Sequence, residues 1–355
     1  FRYAVQGIAT VLSLDPKHRP DMVSMIAVST ALMLSGAPFE GPVAGLRVMM
    51  KEDGSFDAMN SIEEYDSSKL DLVVAGTENG VMMVEAGANE VTEQEVVDAI
   101  SWAQEAMKPA IKLQQEFVEK VGATKMEYEL SKPDESIQEK VNTWIDGKLT
   151  DDIVCDYPFR NPKIAEIRDA MDAALSEELG EDEYKEVKKD YHEAFQMAVH
   201  AEVRRGIVED QVRPDGRKLD QIRPLSSQTG FLPRAHGSSI FTRGVTQAMN
   251  IVTLAPLSYS QIVDTMERDT ERRYMHHYNA PGWTVGEVQR LGSPGRREIG
   301  HGYLAERALA PMLPSEADFP YAVRSVTEIM RQTGSTSMAA TCSSCLALLD
   351  AGVPL

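Results

Sequence analysis

The sequence predicts an α+β chain in which an all-α segment separates two copies of one mixed fold. Three observations predict it: an internal repeat whose copies lie near the two ends, strand and hairpin patterning confined to residues 1–122 and 213–355, and an acidic stretch between them without strand alternation. With 355 residues the chain is long enough for two or three cores at about 100–200 residues per domain. Hydrophobic residues make up 43% and charged residues 26%, as in ordinary globular proteins. No apolar run approaches the roughly 18–20 residues that cross a bilayer, so membrane-spanning, collagen-like and wholly disordered classes are excluded. Three cysteines cannot frame a chain of this length, and no secretory pattern opens it, so the reading places it in a reducing cytoplasm.

The repeat pairs Phe1-Arg-Tyr-Ala-Val5 with Phe319-Pro-Tyr-Ala-Val323, an offset of 318, and Ala31-Leu-Met-Leu-Ser-Gly-Ala-Pro38 with Ala347-Leu-Leu-Asp-Ala-Gly-Val-Pro354, an offset of 316. Two matches in the same order at nearly one offset favour a duplicated domain. Copy two carries about a hundred residues before its first anchor that copy one lacks, and copy one runs about eighty residues past Pro38 where copy two stops at Leu355. The expectation is an internal fragment with its two repeats truncated at opposite ends, and no initiator methionine opens it.

Residues 22–35, rich in Ala, Leu, Met and Ser and ending at Gly36-Ala-Pro38, predict a buried helix with a glycine cap and a proline stop. Asp71–Thr77, Glu-Asn-Gly80 and Val81–Glu85 predict a hairpin. Thr92 to Val121 has helical apolar spacing, with Thr92-Glu-Gln-Glu95 as a capping box. From about 124 to 212 helical runs follow, Lys163–Leu179 and Glu181–Arg205, broken at Gly180. Strands return at Ser239–Thr242 and Gln247–Val252. The expected domains are 1–122, 123–212 and 213–355.

The net charge of −19 is uneven. Residues 1–212 hold 21 basic and 42 acidic side chains; residues 213–355 hold 15 and 13, and 14 of those 15 are arginine. Arginine forks suit phosphate oxygens, and the pairs Arg272–Arg273 and Arg296–Arg297 fit either phosphate contact or surface arginines with carboxylate partners. Gly334-Ser-Thr-Ser-Met338 precedes a small-residue helix and offers three hydroxyls at a helix N-terminus, which reads either as a simple cap or as an anion cradle. Copy one has His18-Arg-Pro-Asp21 at the equivalent place, where an aspartate repels phosphate, so the second copy is the candidate for chemistry. Gly292–Gly302 sets two arginines and His301 among glycines, either wrapping an anion or forming a surface loop. Cys342-Ser-Ser-Cys345 has no second pair for zinc and sits in a packed-helix context, with Cys155 isolated. Trp283 reads as a core residue or a base-stacking one.

These segments together carry a resemblance. Pro214-Asp-Gly-Arg-Lys218, Leu232–Ser238, Phe241-Thr-Arg-Gly-Val-Thr-Gln247, Gly292–Gly302, Gly334–Met338 and Leu349–Pro354 resemble the polynucleotide phosphorylases across essentially the whole chain. The resemblance implies two ribonuclease-PH-type α+β domains, the second catalytic, joined by an all-α domain in a homotrimeric ring that threads single-stranded RNA. It implies attack of inorganic phosphate on the 3′-terminal phosphodiester, releasing nucleoside diphosphates, with reversible polymerisation. Carried over by motif, Ser335, Thr336 and Ser337 would hold phosphate, and Arg296, Arg297 and His301 would contact RNA or phosphate at the scissile bond. Mg²⁺ is implied too, with ligands in a D-x-D-x-K motif expected beyond Leu355; copy one's counterpart, Lys69-Leu-Asp-Leu-Val73, keeps only Asp71. RNA-degradation proteins are further implied partners, and this polypeptide alone is expected to be inactive. Competing readings are a non-catalytic RNA-binding ring subunit and a hydrolytic nuclease releasing monophosphates.

Overall fold

The computed structural model describes residues 3–355 except 16, 59–60, 129, 131, 150–159, 268 and 291; the side chains of 63, 65 and 66 are also outside the description. Phe1 and Arg2 of the first repeat anchor, and Cys155, therefore lie outside the described residues.

In the first copy, α1 (Asp21–Leu34) is followed by β1 (Ala44–Met50), β2 (Phe56–Ala58), α2 (Ile62–Ser67), β3 (Leu70–Thr77), β4 (Gly80–Ala88) and α3 (Glu93–Val121). The strands form an antiparallel sheet in the order β2-β1-β3-β4. Its core follows from two periods: Ala44, Val48, Leu70, Leu72 and Val74 face one side of the sheet, and Ala99, Ala103, Met107 and Ile111 form an every-fourth-residue stripe on α3 that covers them. Each large side chain buried there contributes about 1.5–3 kcal/mol. The predicted hairpin forms with Thr77 paired to Gly80 across Glu78-Asn79. The Thr92–Glu95 capping box starts α3.

The middle segment holds α4 (Glu135–Ile145), α5 (Arg160–Leu179) and α6 (Glu181–Val208). Gly180, at φ +87°, reverses the chain between α5 and α6, a conformation glycine adopts without a steric penalty. Val141, Ile145, Met171, Leu175, Tyr191 and Phe195 form a core of their own.

In the second copy β5 (Leu225–Thr229), β6 (Gly237–Arg243), β7 (Thr246–Pro256), β8 (Gln261–Asp264), β9 (Asp269–Arg272) and β10 (Tyr274–Asn279) lead to α7 (Arg296–Leu309), β11 (Tyr321–Arg331) and α8 (Thr336–Asp350). The main sheet runs β10-β11-β7-β6-β5, with β8 and β9 a separate ribbon. Only β10 and β11 are parallel in that sheet, and α7 supplies the crossover such a pair needs. Helix α8 packs on β6, β7 and β11, and α7 on β10. The fold is thus α+β on either side of a helical region.

The repeat is visible in the elements. Shifted by 316 residues α8 falls on residues 20–34, where α1 spans 21–34. Two expectations need correcting. α1 ends on Ser35, with Gly36 one residue beyond, and among its residues only Ser29 is buried. Its outer side meets residues 3–13, which form no strand among the described residues, whereas their counterpart β11 lies between β7 and β10. An apolar groove remains between that segment and α1.

Beneath α8 lies a fully buried polar cluster. Asn250 donates to Thr327 Oγ1 (2.7 Å) and Ser344 Oγ (2.9 Å), Ser325 donates to Asn250 Oδ1 (3.0 Å), and His276 Nε2 lies 2.8 Å from Ser344 Oγ. Burial pushes His276 down from 6.5 to about 4, so as pH falls the unfolded chain takes up this proton first. The stability tied to neutral His276 is complete above pH ~6.5 and is lost progressively as pH falls towards about 4, a span worth about 3 kcal/mol at most. Urea titrations followed by hydrogen exchange in α8 should show this loss between those pH values, and a His276→Gln variant should flatten it.

Candidate active site

The loop before α8 is held open by its backbone. Gly334 and Ser335 both have positive φ, +94° and +49°, the second uncommon for a residue with a side chain. Arg243, at the end of β6, clamps them: its Nη2 donates to the carbonyls of Gly334 (3.0 Å) and Ser335 (3.1 Å). Burial first, then Arg223 and Arg217, lowers the affinity of Arg243 for its proton; Arg217 and Arg223 share Asp215, whereas Arg243 has no carboxylate partner among the described residues. The first amides of α8 have no partner within a helix, and Ser335 makes no side-chain cap. Ser335 is exposed, Ser337 half-buried and Thr336 only 2% exposed.

The three expected hydroxyls are therefore not equivalent. Thr336 Oγ1 shares a 2.6 Å hydrogen bond with the Tyr278 hydroxyl at the end of β10, which leaves Ser335 and Ser337 as the accessible pair. Burial keeps the Tyr278 phenol above its usual pKa. The Tyr278 ring also meets His301 edge-on, with centroids 5.0 Å apart. Tyr278 thus joins the start of α8 to α7.

Gly292–Gly302 is not a loop throughout. Arg296 is the first residue of α7, and Arg297 and His301 follow on the helix. Gly302 permits the approach: a Cβ there would lie 3.2 Å from the His276 carbonyl oxygen and 3.4 Å from Tyr278 Cβ. Arg296 and Arg297 are exposed, with no hydrogen bond or ion pair among the described residues. Two cations at a helix N-terminus oppose the helix dipole, which Glu298 in the same turn offsets in part. Burial, then Arg297, holds His301 below its usual pKa, so its neutral form is favoured at pH 7. A cleft of about 300 Å³ runs between Tyr278, Arg297, Glu298 and Gln332.

The structure brings Thr336 and His301 together through Tyr278, with Arg297 at the same cleft. It spends the other arginine pair elsewhere: Arg272 binds Glu306 (2.7 Å), and Arg273 donates to the carbonyls of Phe319 and Pro314. Trp283 is 57% exposed rather than in the core, because it sits on the short turn Gly282–Val285 outside the sheet. Cys342 and Cys345 are free, on α8. Arg243 and Tyr278 were not among the expected site residues; Arg243 sits inside one of the sequence signatures, whereas Tyr278 carries no signal of its own.

The described residues include no group of three or more His, Cys, Asp or Glu side chains able to hold a metal. Asp71 is bound by two guanidiniums, Arg47 and Arg307. The described residues do not form a Mg²⁺ site. No helix among the described residues is long and apolar enough to cross a membrane.

The 3′ exoribonuclease family, domain 1, matches residues 221–354, and its domain 2 matches residues 60–106. The polyribonucleotide nucleotidyltransferase RNA binding domain matches residues 155–218. Among curated proteins, the polyribonucleotide nucleotidyltransferase of Bacillus velezensis is 46% identical over 100% of this chain and 50% of its own length, and that of Streptococcus sanguinis 44% over 100% and 49%. The chain spans about half the length of the curated relatives it matches. A crystal structure of rice Rrp46 matches 40% of this chain and 63% of its own at 24% identity and a TM-score of 0.31.

Replacing Tyr278 by Phe should cost about 1 kcal/mol through the lost bond to Thr336. Faster amide exchange over residues 334–340, with the rest of the second copy unchanged, is the expected result.

Proposed function

The chain belongs to the polyribonucleotide nucleotidyltransferase family, and on that premise we propose that the protein carrying it degrades single-stranded RNA from the 3′ end by phosphorolysis. The proposal divides the chain at residues 122 and 212, with the second ribonuclease-PH-type copy catalytic. The observation that carries it is the convergence, through Tyr278, of the α8 N-terminus with the Arg297 and His301 face of α7. Copy one presents Asp21 in the first turn of α1, where it binds Arg47 at 2.8 Å, and a carboxylate there disfavours phosphate.

In the proposed reaction an oxygen of inorganic phosphate attacks the phosphorus of the terminal phosphodiester. The new P–O bond forms as the bond to the preceding nucleotide's 3′-oxygen breaks; that oxygen takes up a proton, and a nucleoside 5′-diphosphate leaves. Because phosphate is itself the nucleophile, the protein's work is positioning and charge stabilisation. Ser335 and Ser337 with the first amides of α8 would bind phosphate, Thr336 would fix the loop through Tyr278, and Arg296, Arg297 and His301 would hold the scissile phosphodiester. The wider reading includes Mg²⁺ bound by residues other than those described, a cytoplasmic homotrimer, and association with other RNA-degradation proteins.

With Mg²⁺, RNA and phosphate, the full-length protein should release diphosphates only when phosphate is present. Changing Thr336 and Ser337 together to alanine should lower that rate by about 10²–10³-fold, the scale of losing oxyanion donors. Monophosphate release without phosphate would indicate hydrolysis, and RNA binding without nucleotide release would indicate a scaffold; either outcome defeats the proposal. Ser335→Gly should separate two roles of that residue, leaving the unfolding midpoint unchanged or higher because φ is positive, while raising the KM for phosphate.

A further inference from the structure

We propose that Asp71, in the copy without the candidate active site, is a positioning residue for α7 of the other copy and acts through Arg307. The inference rests on the preceding reading of Arg296, Arg297 and His301. Arg307 leaves the same helix six residues after His301, about 9 Å along its axis at 1.5 Å per residue, and its guanidinium lies on the first copy's sheet. Its Nη2 donates to Asp71 Oδ2 (2.9 Å) and to the Asp71 carbonyl oxygen (3.2 Å), and its Nη1 donates to Glu85 Oε1 (2.9 Å).

The receptor for that guanidinium is built from three strands. The other oxygen of Asp71 is taken by Arg47 of β1, which reaches Asp21 of α1 with its second nitrogen (2.8 Å). Asp71 is 8% exposed, so its charge needs these partners. Gly87 of β4 leaves the space: a Cβ there would lie 2.5 Å from Arg307 Nη2 and 2.9 Å from Nε. A carboxylate, a second acceptor and a glycine floor thus meet one arginine from the other copy.

Gly302 seats α7 on β10, and one turn later Arg272–Glu306 ties the helix to β9. The Arg307 fork fixes the helix against the first copy as well, so movement between the copies is transmitted to the helix bearing Arg297 and His301. A misplacement of about 1 Å can cost about 10²-fold in rate.

The test uses full-length protein and phosphate-dependent diphosphate release from single-stranded RNA, with active sites titrated. Gly87→Val fills the space without removing a charge, Arg307→Lys keeps the charge without the fork, and Asp71→Asn removes the anion. Each should lower kcat by about tenfold or more, with RNA affinity changed less than threefold. In the Asp71→Asn background, His301→Ala should cost less than it does in the unmodified protein, because His301 is already misplaced. A purely structural role would reduce the titrated site fraction and the unfolding midpoint while leaving kcat per site and the full His301→Ala effect, and that result overturns the proposal. So does kcat within twofold for Gly87→Val and Arg307→Lys, the two variants least disruptive to folding, while His301→Ala still lowers it. If His301→Ala changes nothing in the unmodified protein, the site reading itself fails, and the positioning role falls with it.

Discussion

The second copy depends on a small polar cluster sealed beneath α8. Asn250, Ser325, Thr327, Ser344 and His276 are all buried and bonded to one another. The helix face around them is made of small residues, Ala339, Ala340, Ser343 and Ala347. Such a face packs closely but offers little shape to prevent sliding, since apolar burial is non-directional. Hydrogen bonds at fixed positions supply the register that alanines do not, because a slip would leave buried polar groups unpaired at about 1–3 kcal/mol each. With α8 fixed, Thr336 meets Tyr278 and the Gly334-Ser335 turn meets Arg243.

The two copies use the same scaffold differently. Before α8, Gly334 and Ser335 are exposed and Arg243 binds their carbonyls; at the start of α1 an aspartate occupies the first turn and is bound to Arg47. The divergence continues in the strand carrying Asp71, whose carboxylate is shared by Arg47 and Arg307. A carboxylate enclosed by two guanidiniums has little capacity left for a cation. What copy one retains at this position is an attachment point for copy two.

Much of this was legible in the sequence because it is local. The hairpin at Glu78-Asn79, the Thr92 capping box, the break at Gly180 and the loop before α8 all follow from short-range rules. The offset of 316 places α1 over α8 because both copies keep the same helix. Less legible were features decided by distant partners. Arg272 and Arg273 look like Arg296 and Arg297 in sequence, but only tertiary structure brings Glu306 and two carbonyls to the first pair. Tyr278 is one aromatic in an ordinary strand until the fold brings it to His301 of α7 and Thr336 of α8. The exposure of Trp283 depends on a turn outside the sheet.

The sorting of arginines also gives the second copy's charge its meaning. Its net charge is near zero, so composition alone predicts no strong attraction for a polyanion. Two of its carboxylates are committed within the fold, Asp215 to Arg217 and Arg223, and Glu306 to Arg272, while Glu298 lines the cleft itself. Arg307 is drawn away to the first copy's Asp71 and Glu85. Arg296 and Arg297 make no ion pair among the described residues, although Glu298 stands in the same first turn, and they lie at a helix end that already carries positive partial charge. The field at the cleft depends on which neighbouring cations are paired: Arg217, Arg223, Arg272 and Arg307 have carboxylate partners, whereas Arg296 and Arg297 have none among the described residues.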